Sequence, residues 1–202
     1  MCWSYEASLI TGITATIMNA YLLAYKKGNA IPVALLGIII AIMQFGEAFM
    51  WKGVTEKDKR KSTLGSHIGI ISLLLQPLVL GMSIMWIRGF PTLVLSAFFG
   101  IWCIMSYSIS YSLLTQHWNP QPGYGGHLQW PFLQPFLNSI FAWLYWCVIL
   151  GAWLLMQPFS EGLKHSFGAL STFIITNVFF PKEWGTLWCF IANILPIRYI
   201  FT

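Results

Sequence analysis

Residues 31–51 read IPVALLGIIIAIMQFGEAFMW, an apolar run in which Glu47 is the one charged residue. At about 1.5 Å of rise per residue, a helix of this length crosses the roughly 30 Å hydrocarbon layer of a bilayer. Gln44, Glu47 and Trp51 stand at i, i+3 and i+7, so they share one helical face. The run predicts a membrane span with a polar edge.

The rest of the chain agrees with that reading. It has 202 residues, 57% hydrophobic and 8% charged, with mean hydropathy +0.67. A soluble domain carries about 25% charge, so this chain cannot coat a water-facing surface. Composition therefore excludes a soluble enzyme, a disordered chain and a nucleic-acid binder, despite the net charge of +5. Charge-free runs predict seven spans, at residues 7–25, 31–51, 66–87, 91–115, 130–156, 163–180 and 184–201. The sixth has the weakest apolar run, and Leu163 and its neighbours extend it. The expectation is a single all-α domain over residues 1–202, a polytopic seven-helix membrane bundle. No basic region precedes the first span, so no signal peptide is expected. Residue 2 is Cys and not Gly, which excludes myristoylation.

Seven spans put the two termini on opposite sides. The N-terminal side, face A, holds Lys52, Lys57, Lys59, Arg60, Lys61 and Lys182; face B holds Lys26, Lys27, Arg88, Lys164 and Arg198. Orientation follows a cation difference, and six against five decides nothing.

Two packing signals lie inside the spans. Ser8, Gly12, Thr16, Ala20 and Ala24 recur at every fourth position of span one. Small residues so spaced let a neighbouring backbone approach, which predicts a central packing helix. Gln76-Pro77 and Gln134-Pro135 each place a proline where a span would kink and free a carbonyl.

Glu47 is the only acid within a span. Four residues before Trp51, it is expected about 6 Å from the helix end. Burying a carboxylate in lipid is costly unless it is paired or protonated. It either snorkels to water or caps a neighbour, or serves a cavity as proton carrier, ligand or ion partner. The amides Gln44, Gln76, Asn138 and Asn193 suit either interhelical bonding or a polar cavity. His67 and His165 are ordinary interfacial histidines, whereas His117 and His127 lie in a face-A loop where Gly125-Gly126 permits close backbone approach. Cys103 and Cys147 read as apolar filler. Cys2 and Cys189 both lie towards face A, where they could pair as a disulfide or share a soft metal with His127. Cys2 could instead be acylated or inert. No zinc spacing, phosphate loop or dinucleotide fingerprint occurs, so no cofactor is expected beyond that metal alternative.

The opening Met1-Cys2-Trp3-Ser4 with Ala7-Ser8 resembles a family of uncharacterised bacterial and related multi-pass membrane proteins that open Met-Cys-Phe-Ser-x-x-Ala-Ser. Gln44, Glu47 and Trp51 match its Gln-x-x-Glu-x-x-x-Trp signature, Gln76-Pro77 its third-span Gln near Pro, and Gly126-His127 its loop motif. Ile174-Ile175-Thr176 and Trp188-Cys189-Phe190-Ile191-Ala192 match its closing motifs. The family usually has paired histidines at Gly126-His127, and its basic loops follow spans one, three and five; here the loop after span two is the basic one. The resemblance implies a multi-pass fold with face A, and so the N-terminus, exoplasmic.

Cys2, Trp3 and Ser4, then Glu47 and Trp51, then His127, then Trp188 and Cys189 come from four distant stretches, yet the span count brings all of them to face A. The expectation is a face-A vestibule with Glu47 as its buried anchor. Translocation of a small solute, ion or proton is the leading function. A membrane-embedded enzyme or metal protein using Glu47, His127, Cys2 and Cys189 is the second, and a sensor or structural component the third. The expected partners are the lipid bilayer and a small solute or ion. A homo-oligomer is compatible with the sequence.

Overall fold

The computed structural model describes residues 4–123, 126–179 and 184–201, less the side chains of residues 184, 186 and 190. Met1, Cys2, Trp3 and Phe180 lie outside the described residues. The helices are α1 (Tyr5–Tyr25), α2 (Ala30–Glu56), α3 (Lys59–Ile87), α4 (Thr92–Leu114), α5 (Leu133–Leu137), α6 (Ile140–Leu154), α7 (Phe159–Phe179), α8 (Trp184–Ala192) and α9 (Leu195–Ile200). The only sheet among the described residues is an antiparallel pair, β1 (Gln121–Pro122) and β2 (Leu128–Gln129). The fold is all-α, and α1 to α4 are each long and apolar enough to cross a membrane.

α2 and α3 form the central hairpin, and α1 packs on the other side of α2. The hairpin closes on two residues, Lys57 and Asp58. Lys57 takes the left-handed conformation at φ 56° and its N–H bonds the Gly53 and Val54 carbonyls, a helix-stopping geometry more often filled by glycine. Asp58 Oδ1 accepts the N–H groups of Arg60 (2.9 Å) and Lys61 (3.4 Å), satisfying donors that the start of α3 leaves open. Polar residues 52–56, expected as loop, thus continue α2 beyond Trp51.

Gly46 and Gly65 let the hairpin's helices touch. A Cβ at Gly46 would lie 2.9 Å from the Gly65 carbonyl. Backbone contact of this kind is how helices associate where lipid removes any hydrophobic gain from packing. Pro77 lies inside α3 without ending it. Beside the carbonyl that Pro77 deprives of a donor, the Trp102 indole donates to Leu74 O at 2.9 Å, tying α4 to α3. Otherwise α4 is largely exposed, with only Leu95, Trp102 and Leu113 buried.

α1 departs from the expected central role. Its buried residues are Ser8, Gly12, Ala15, Asn19 and Leu22, whereas Thr16, Ala20 and Ala24 are exposed. Strict four-residue spacing overshoots a turn by about 40° per step, so a packed face must alternate threes and fours. The small-residue stripe therefore winds off the interface, and α1 is a peripheral helix.

The fifth run is broken. Asn138 ends α5, and extended Ser139 (φ −93°, ψ 153°) starts α6. The seventh is broken after Ala192, where α9 begins with Pro196 in its first turn, a position at which no N–H is needed. α7 is longer than the sixth run, starting at Phe159.

Candidate functional site

Gln44 and Glu47 lie on the buried side of α2. Glu47 and Gln44 have no exposed surface, and Gln76 is 1% exposed. Because α2 continues to Glu56, Glu47 lies nine residues from its end, about 13 Å along the axis, with exposed Thr55 and Glu56 forming the last turn.

Around it, four helices contribute to one buried group. The Tyr145 hydroxyl (α6) donates to Gln76 Oε1 (α3) at 2.6 Å. Gln76 Nε2 donates to the Met43 sulfur (α2) at 3.4 Å. The Cys189 thiol (α8) donates to the same sulfur at 3.1 Å. One turn beyond Cys189, Asn193 Nδ2 bonds the Cys189 carbonyl at 2.9 Å. The structure thus links Gln76 and Cys189 through Met43 and adds Tyr145, two residues that sequence reasoning missed, and it buries Gln44 and Glu47 on the same helix as Met43. Tyr145 carried one signal: tyrosines in spans favour the interfaces, and this one falls in mid-run. Edge-on contact with Phe136, 5.6 Å between centroids at 88°, fixes its ring.

On the face-A side, Trp51 follows Glu47 by one turn. It is 8% exposed and lines a groove of about 460 Å³ together with Ser4, Tyr5, Glu6, Lys52 and Thr55. Ser4 caps α1, its Oγ accepting the Ala7 N–H at 3.2 Å, and Lys52 Nζ sits 5.3 Å over the Tyr5 ring. The groove and the buried group therefore lie on either side of Trp51 along α2.

Other candidates have separate settings. Asn138 is exposed, its Oδ1 accepting from Gln134 at 3.3 Å, so it lines no interior path; the break between α5 and α6 carries it to the surface. His127 is buried behind the β1–β2 turn, where Gly126 has φ 76° and the Gly123 N–H donates to the His127 carbonyl at 2.6 Å. Trp188 packs edge-on against Trp146, at 5.3 Å and 78°. Cys189 is a free thiol. Among the described residues, no three His, Cys, Asp or Glu side chains are grouped to hold a metal ion. Cys2 and Trp3 lie outside those residues, and with them the Cys2–His127–Cys189 metal set.

No protein-family model, curated protein or solved structure matches this chain.

Proposed function

We propose that the chain is a seven-span integral membrane protein that translocates a small solute, an ion or a proton, with Glu47 as the titrating group. The observation that carries this reading is the position of Glu47. It is fully buried on a helix long enough to cross the membrane, one turn after Met43, whose sulfur accepts from Gln76 and Cys189. An acid buried within a span is costly to insert and marks a functional site by default, which favours a polar path over packing. The groove outside Trp51 is the face-A entrance, and Gln44, Gln76 and Asn193 line the interior.

In this reading α1 to α4 supply four crossings, α5 with α6 the fifth, α7 the sixth, and α8 with α9 the seventh. α7 has 21 residues; Glu161 in its first turn stands at the face-B surface, and residues 163–179 make the crossing, about 25 Å of helix. The motif resemblance supports the same count and an exoplasmic N-terminus.

The test is flux in proteoliposomes carrying a pH-sensitive dye or a cation indicator. Wild-type protein conducts, Glu47→Gln does not, and Glu47→Asp retains part of the activity. Wild-type and Glu47→Gln vesicles that leak equally would sink the proposal.

A further inference from the structure

The start of α3 carries a second cavity, separate from the Glu47 group. It encloses about 620 Å³ and is lined by Lys59, Arg60, Thr63, Leu64, His67, His117, Trp118 and Asn119. Two of these are cations, two are histidines and none is an acid. The nearest acids are already engaged: Glu56 and Asp58 both pair with Lys61. Among the described residues, Lys59 and Arg60 make no ion pair.

We infer that this cavity binds the phosphate headgroup of an anionic membrane phospholipid. Arg60, Thr63, Leu64 and His67 stand at i, i+3, i+4 and i+7 and so form one face of α3, about 10 Å long. Lys59 and Arg60 supply the charge at its upper end, Arg60 with the fork that matches phosphate oxygens. Thr63 and Asn119 add neutral donors. His67 closes the lower end of that face. Trp118, whose indole donates to the Leu113 carbonyl at 2.7 Å, forms a fixed wall.

The apolar part of the site selects a lipid over a free anion. Exposed Leu64, Ile71 and Leu75 (49%, 46% and 36%) continue down α3 from the cationic end, a track for an acyl chain. The site is independent of any transport path.

The experiment uses the full chain in detergent with phosphatidylglycerol, phosphatidylcholine or inorganic phosphate, read by native mass spectrometry and by titration calorimetry. Phosphatidylglycerol is retained over phosphatidylcholine, and Lys59→Gln/Arg60→Gln weakens that retention by about 25-fold, taking each cation as worth about fivefold. Lys26→Gln/Lys27→Gln, at the opposite end of the bundle, leaves it unchanged. Equal retention of the two lipids would overturn the proposal, as would an unaffected Lys59/Arg60 variant or an equal loss in the control. Saturable binding of inorganic phosphate without lipid preference would overturn it in favour of a free-anion site. A melting scan of each variant identifies any loss caused by misfolding; both pairs, exposed apart from half-buried Lys26, are expected to melt with the wild type.

Discussion

The Tyr145 hydroxyl donates to the Gln76 side-chain carbonyl at 2.6 Å, joining helices whose residues are 69 positions apart. Both residues are buried, so removing the phenol oxygen leaves a buried acceptor with no replacement from solvent. Tyr145→Phe should lower stability to unfolding by SDS by about 1 kcal/mol, within the range of polar bonds between spans. A double-mutant cycle with Gln76→Leu checks the assignment: the second change should cost little once the first is made. Additive losses would mean that the two residues do not act on one another.

The two-residue turn between α2 and α3 makes opposite forecasts for its two positions. Lys57→Gly relieves a left-handed backbone and should raise the melting temperature, by an amount equivalent to about 1 kcal/mol. Asp58→Ala removes the cap of α3 and should lower stability by about the same amount. Circular-dichroism melts in detergent measure both, and a matching sign would refute the turn geometry.

Gly65→Ala should destabilise by about 1–3 kcal/mol, because the new methyl meets the Gly46 carbonyl and the Met50 amide in a contact that cannot widen freely. Gly100→Ala in α4, where nothing lies within 4 Å of the added carbon, should be neutral or mildly stabilising. A Gly65→Ala protein as stable as Gly100→Ala would contradict the close α2–α3 approach.

At the other end of the bundle, Glu161 bonds Lys164 at 2.8 Å and Arg198 at 2.7 Å. The Lys164 hydrogen bond, opposed by partial burial and aided by the Arg198 and Lys164 charges, holds its carboxyl below the ordinary range. The unfolded chain, with a glutamate near about 4.3, then binds more protons in that window, so stability rises with pH through it. The contribution is complete above about pH 5 and fades as pH falls through the lowered value. Melting temperatures between pH 3 and 6 should drop more steeply for wild type than for Glu161→Gln, and parallel curves would rule the linkage out.

How legible the fold was depends on where its information lies. Charge-free runs marked α1 to α4, because lipid forces each span to be apolar along its own length. The buried face of α2 was visible in Gln44, Glu47 and Trp51, since helical period is a local property. The periphery of α1 was not, because a four-residue stripe looks like a packing face until its drift is followed around the helix. Asn138 read as interior because nothing in its run announces the extended Ser139. Tyr145 was lost among the aromatics of α6. Its role is fixed by Gln76, and no window of sequence contains both.

The Cys189–Met43 contact spans 146 residues of chain. At about 5–20 residues per second of synthesis, the thiol reaches the membrane on the order of ten seconds after the methionine. For that interval α2 has its hairpin partner but not α8, and Glu47 must be sheltered by something other than its final neighbours. A ribosome stalled before α8 would therefore leave the Met43 sulfur with Gln76 as its partner and without the Cys189 thiol.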